Sequence, residues 1–165
     1  MSQPFQSQVE RIAAALTEHG QTLAVVECTL GGALGAALTG VAGASSWFVG
    51  GLAPYAARAK ERLLGLSGAD FGDEGAVSAR AARLMAEAAR ARLGATWALA
   101  ETGIAGPRGQ RRSAKEPGTA FICLIGPDGA AHERTLATGQ DDRAANRRAF
   151  LTAALDLLVE RLSAV

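Results

Sequence analysis

The 165-residue sequence predicts a three-layer α/β/α fold with a mixed, mainly parallel sheet and one antiparallel hairpin. Three observations carry that reading. Apolar periodicities alternate in the order helix, strand, helix, strand, two helices, three strands, helix. Helical stretches between the early strands suit parallel crossovers. Pro127-Asp128-Gly129, between two apolar runs, is a hairpin turn signal.

Residues 6–19 set Val9, Ile12, Ala13 and Leu16 at helical spacing, and Gly20 stops the helix. Residues 22–26 form a short apolar strand that ends in Glu27, Cys28 and Thr29, then Gly31 and Gly32. The next helix, Ala33–Leu38, is made of small residues and leucines. After a loop over 41–46, residues 47–55 read as a second strand, interrupted by Gly50-Gly51 and Pro54. Proline cannot donate to a ladder, so this strand end is an edge or a break. Tyr55 opens a helix with Leu63, Leu64 and Leu66 on its apolar side and Gly65 at its end, and residues 67–75 read as loop. Ser78 caps the helix Ala79–Leu93, whose apolar side holds Ala82, Leu84, Met85, Ala88 and Ala89, and Gly94 stops it. Residues 96–100 form a third strand and pass into a second polar–glycine turn over 101–107. A basic loop with Arg108, Arg111, Arg112 and Lys115 follows. Residues 120–125 and Ala131–Ala137 make the hairpin. Asp141 or Asp142 caps a last helix to about Leu162, with Phe150, Leu151, Ala154, Leu155, Leu158 and Leu162 as its core stripe. Without repeats or linkers, the chain reads as one domain over residues 1–165.

Composition narrows the function. Net charge is +1, so no global field draws the chain to nucleic acid or membrane. The arginines at 80, 83, 90 and 92 read as a solvated helix face. Two cysteines and two histidines, His19 and His132, lack metal-ligand spacing, so no metal is expected. Cys28 and Cys123 lie in apolar strand contexts, which argues against a disulfide scaffold and for a reducing cytoplasm. No signal peptide and no membrane span is expected.

Two strands end in polar–glycine turns, at 27–32 and 101–106. If both strands are parallel, both turns share one sheet edge and form a ligand crevice. Unpaired N–H groups at a helix start there can receive an anion or oxyanion. Cys28 stands where a nucleophile would stand; its other reading is a small buried apolar residue.

Several stretches in order resemble the CinA C-terminal domain family, which includes the nicotinamide-nucleotide amidohydrolases (PncC). The family's Glu-Ser-Cys-Thr-Gly-Gly is matched by Glu27, Cys28, Thr29, Leu30, Gly31 and Gly32, with Cys28 at the serine position and Leu30 at the threonine position. Gly43-Ala44-Ser45, Trp47-Phe48, Gly50-Gly51, Tyr55, Lys60 and Leu63-Leu64-Gly65 follow the family's second element. Gly-Ala-Val-Ser stands at 75–78 and Thr-Gly-Ile-Ala-Gly-Pro at 102–107. Lys115, Pro117, Gly118 and Thr119, and then Asp142-Arg143 with Arg147, match the remaining motifs.

The resemblance implies hydrolysis of the carboxamide of nicotinamide mononucleotide to nicotinate mononucleotide and ammonia, with no cofactor. It implies Cys28 as substituted nucleophile, Lys60 as general base and Tyr55 assisting. It implies substrate contacts at Glu27, Gly31, Gly32, Ser45, Thr102, Gly103, Gly106 and Arg143. Glu27 either orients Lys60 by charge or ties down local backbone N–H groups. Thr102, Gly103 and Gly106 either supply donors to the ligand or shape an ordinary turn. Arg143 either binds phosphate or pairs with Asp142 on the helix surface. The expected partner is a small-molecule nucleotide, and the small-residue helix Ala33–Leu38 and the family's habit suggest a homo-oligomer. The alternative is a catalytically silent paralogue that binds a nucleotide or a protein partner.

Overall fold

The computed structural model describes residues 5–109 and 114–163. Arg111 and Arg112 of the basic loop lie outside the described residues. Five strands form one sheet in the order β2-β1-β3-β4-β5. They are β1 (Leu23–Glu27), β2 (Phe48–Leu52), β3 (Trp97–Ile104), β4 (Thr119–Ile125) and β5 (Ala131–Ala137). β1 runs parallel to both β2 and β3, and β3–β4 and β4–β5 are antiparallel. The expected mixed sheet is what the chain forms, with two parallel and two antiparallel pairings rather than mainly parallel ones.

Strand alternation sends successive side chains to opposite faces. On one face Leu23, Val25, Leu99, Ile122 and Leu124 pack with α1 (Gln6–Glu18), α2 (Ala33–Leu38) and α5 (Arg143–Leu162) through Ile12, Leu16, Leu34, Leu38, Phe150 and Leu158. On the other, Val26, Ala100, Cys123 and Ile125 meet α3 (Ala57–Leu64) and α4 (Ala79–Leu93) through Leu64, Ala82, Met85 and Ala89. Helices on both faces bury every residue of β1, which explains its unbroken apolar run.

Four expectations about local structure change. β3 does not end at residue 100 but continues to Ile104, so the second polar–glycine turn is strand. β4 supplies its partners there, pairing Glu101 with Ile122, Thr102 with Phe121 and Gly103 with Ala120. Gly103 is needed because a Cβ would come within 2.7 Å of the Thr119 carbonyl oxygen. Residues Gly68–Glu74, expected as loop, form a 3₁₀ helix, capped by a reciprocal Ser67–Asp70 box and anchored by buried Phe71. α3 starts at Ala57, leaving Tyr55 outside it. On α4 the buried positions are Ala81, Ala82, Met85, Ala86 and Ala89, while Leu84 and Ala88 are half-buried.

Both expected caps form: Ser78 accepts from the Ala81 N–H and Asp142 from the Ala145 N–H. Ser78 is buried, and its hydroxyl also donates to the Gly75 carbonyl at 2.8 Å. Ser78→Ala is therefore expected to cost about 1–2 kcal/mol, read as a lower urea midpoint at unchanged slope.

Candidate active site

β1 and β3 lie side by side and parallel, with Glu27 and Glu101 as Cα partners in the ladder. The segment between β1 and α2 therefore crosses the carboxyl end of the sheet. It turns back through Gly31 (φ 58°) and Gly32 (φ 103°), backbone angles that favour glycine. Two buried carboxyl groups hold this segment from below. Glu101 Oε2 accepts the N–H groups of Thr29 (3.0 Å) and Leu30 (3.1 Å). Glu27 Oε2 accepts those of Gly32 and Leu34, both at 2.9 Å, and its Oε1 accepts that of Gly35 at 2.8 Å. Glu27 thus ties down backbone N–H groups, the second of its two expected roles. Of the N–H groups at residues 28–35, that of Gly31 alone has no acceptor among the described residues. The helix start is filled by the protein's own carboxyl groups rather than left open for an anion.

Cys28 follows Val26 onto the α3–α4 face and is 6% exposed. Its thiol lies 3.6 Å from Met85 Sδ. Lys60 and Thr102 are its further polar neighbours. Burial pushes the thiol up to about 12, against the pull of the Lys60 charge and with a further push from Glu101. Lys60 is also 6% exposed, and its Nζ donates to the carbonyls of Pro54 (2.9 Å) and Tyr55 (3.2 Å). Two of the Nζ N–H bonds are fixed on carbonyls, and the Lys60 charge acts on the Cys28 thiol from nearby.

The raised thiol has a direct consequence for labelling. At pH 8 the native thiolate fraction, and with it iodoacetamide alkylation of Cys28, is expected to fall about a thousandfold below that of the urea-unfolded chain. Peptide mass spectrometry reads the two rates; equal rates would contradict the buried geometry.

Not every residue expected at the site reaches it. The Tyr55 side chain is 70% exposed, and what Tyr55 gives Lys60 is its backbone carbonyl. Ser45 is exposed in a 3₁₀ turn just before β2. Because β2 parallels β1, Ser45 lies at the sheet edge opposite Cys28. Thr102 is brought beside Cys28, with its hydroxyl donating to the Ala76 carbonyl at 2.8 Å. Gly103 accepts the Thr29 hydroxyl through its carbonyl at 3.0 Å. Gly106 follows β3 and accepts Arg143 Nη1 at 3.1 Å. Arg143 therefore rests on that loop, while Asp142 caps α5 instead of pairing with it.

Three residues were absent from the expected site. Glu101 is fully buried, and its Oε1 has no hydrogen-bond partner. Burial, first of all, holds its carboxyl above the usual carboxylate range, opposed by the Leu30 and Thr29 hydrogen bonds. Arg147 reaches from α5, its Nε donating to the Thr29 carbonyl (3.2 Å) and its Nη2 to the Leu30 carbonyl (2.6 Å). Buried Asn146 ties the Ala105 and Gln140 carbonyls to α5, each at 2.9 Å. An acidic residue directly after the apolar run 97–100, as Glu27 directly follows 23–26, was the available signal for Glu101. Arg147 stood in the last motif but was given no role.

Among the described residues no group of three or more His, Cys, Asp or Glu side chains could hold a metal ion. No helix there is long and apolar enough to cross a membrane.

Fold and site together define a class: α/β/α proteins with a glycine turn, held by buried carboxyl groups, where adjacent parallel strands end. Residues 5–162 match the CinA C-terminal domain, and the chain belongs to that family. It is 43% identical over 148 residues to a CinA-like protein of Frankia casuarinae, covering 90% of this chain and 33% of that protein. With a CinA-like protein of Geobacter sulfurreducens it shares 42% over 151 residues, 92% of this chain and 36% of that protein. The chain thus spans about a third of the length of these curated relatives. Its fold superposes on the competence/damage inducible protein CihA of Agrobacterium tumefaciens with a TM-score of 0.89 at 32% identity, over 99% of both chains. A CinA superfamily protein of Klebsiella pneumoniae matches with a TM-score of 0.89 at 25% identity, over 99% of this chain and 100% of that one.

Proposed function

We propose that the chain hydrolyses the carboxamide of nicotinamide mononucleotide, with Cys28 as nucleophile and Lys60 as base. The observation that carries the reading is the buried Cys28–Lys60 pair, with Nζ anchored on two carbonyls. Lys60 takes the thiol proton as Sγ attacks the amide carbon, and returns it to the departing ammonia. Water, deprotonated by the same amine, then cleaves the thioester to release nicotinate mononucleotide and restore the thiol. The Gly31 N–H is the open donor on the turn for the carbonyl oxygen. Arg143 spends one guanidinium N–H on Gly106 and keeps others for a phosphate. A homo-oligomer belongs to the same reading. The exposed large apolar side chains among the described residues, Val49, Tyr55 and Leu63, all lie on or beside the edge strand β2 and α3.

One observation favours a silent, nucleotide- or partner-binding family member. Glu27 and Glu101 occupy the turn's other side-chain-directed donors, and the thiol is strongly raised. Ammonia release from nicotinamide mononucleotide by the purified chain separates the two. Turnover that disappears in Cys28→Ala supports the hydrolase; none in the wild type and none gained in Cys28→Ser supports the silent reading.

A further inference from the structure

We propose that Glu101 and Arg147 form a two-sided clamp that positions Cys28 against Lys60. The inference rests on the reading of Cys28 and Lys60 as a working pair. The clamp grips three consecutive peptide groups, those joining Cys28 to Thr29, Thr29 to Leu30 and Leu30 to Gly31. Glu101, from β3, takes the N–H groups of Thr29 and Leu30 on one carboxyl oxygen. Arg147, from α5, takes the carbonyls of Thr29 and Leu30 with two separate guanidinium nitrogens. The middle group, between Thr29 and Leu30, is held at its donor and its acceptor by side chains from different layers. It cannot rotate without breaking hydrogen bonds on both sides.

Arg147 acts on Cys28 through the backbone, and Glu101 does so beside the direct push of its carboxyl on the thiol. The thiol's direction is set one residue upstream, where the Cys28 N–H donates to the Glu101 carbonyl at 3.1 Å. Glu101 therefore anchors Cys28 by its main chain and the next two residues by its side chain. The Thr29 hydroxyl adds a bond to the Gly103 carbonyl, on the same strand. Arg147 is the one member of this set that comes from the helix layer, and without it the Thr29 and Leu30 carbonyls lose their hydrogen bonds to α5.

The test reads the coupling between Cys28 and Lys60 and needs no substrate. In the wild-type background, Lys60→Met shifts the pH profile of Cys28 alkylation by iodoacetamide, with Cys123 as the internal reference. In the Arg147→Ala and Arg147→Lys backgrounds that shift is expected to shrink or vanish, because Sγ no longer holds its place beside Nζ. Glu101→Gln keeps an acceptor oxygen and should keep more of the shift than Glu101→Ala. Where the wild type releases ammonia, Arg147→Lys should lower kcat by about 100-fold with KM little changed. A full-sized Lys60→Met shift in folded Arg147→Lys and Glu101→Ala chains would overturn the clamp, leaving these residues a stabilising role alone. A wild type without turnover would defeat the amidohydrolase reading, and the alkylation profiles would still decide the clamp.

Discussion

Lys60→Arg is expected to lower ammonia release from nicotinamide mononucleotide by about 10²–10⁴-fold while the chain stays folded. The guanidinium can still donate to the carbonyls of Pro54 and Tyr55, which hold Nζ in the wild type. It cannot give up a proton at working pH, so it cannot serve as base to the Cys28 thiol. Lys60→Met should be equally inactive and less stable, because it also leaves the two carbonyls without their donor. Single-turnover kinetics on both variants separates proton transfer from structure. An arginine variant with near wild-type kcat would remove Lys60 from the role of base. The wild-type rate should climb between pH 7 and 9. Burial raises the Cys28 thiol to about 12, so the thiolate population is still growing across that range.

Glu27→Ala is expected to be the most destabilising substitution at the site, at about 4 kcal/mol. The side chain is 2% exposed, and its two oxygens take three backbone N–H groups at the start of α2. Removing it strands those donors in a buried turn that water does not reach easily. α2 has six residues and no side-chain cap of its own, so nothing local replaces the lost acceptors. Glu27→Gln keeps one acceptor oxygen and should recover part of the loss. Urea denaturation of the three chains gives the order, and a Glu27→Ala midpoint within error of the wild type would contradict it. Glu101 works in the opposite sense with pH. Its carboxyl is held above its unfolded value of 4.5, so its contribution is complete below that value and falls as pH rises through the folded one.

The sheet was legible because its signals are local. The apolar run 23–26, the Pro127-Asp128-Gly129 turn and the caps Ser78 and Asp142 each specify one element without reference to the rest. Of the candidate site, the Cys28 turn was legible as a polar–glycine stretch after an apolar strand, whereas Lys60 stood out through the family motif alone. What was hidden depends on partners distant in sequence. β3 was read as ending at residue 100, since only the ladder with β4 shows that Glu101 to Ile104 are strand. Glu101 looked like part of a turn for the same reason. The separation of Ser45 from Cys28 follows from the parallel direction of β2, which residue spacing does not contain.

The clamp also bears on when the crevice can exist during synthesis. Glu101 lies 72 residues beyond Thr29, and Arg147 lies 117 residues beyond Leu30. A nascent chain that has released only the first half holds Cys28 but lacks both groups that grip the turn. β1 cannot acquire its central neighbour β3 until residue 97 is available, and the Thr29 and Leu30 carbonyls wait for α5. Such distant pairings must meet a loop-closure cost before they add stability, so they form late. The turn that holds Cys28 is thus completed only once α5 is available to grip it.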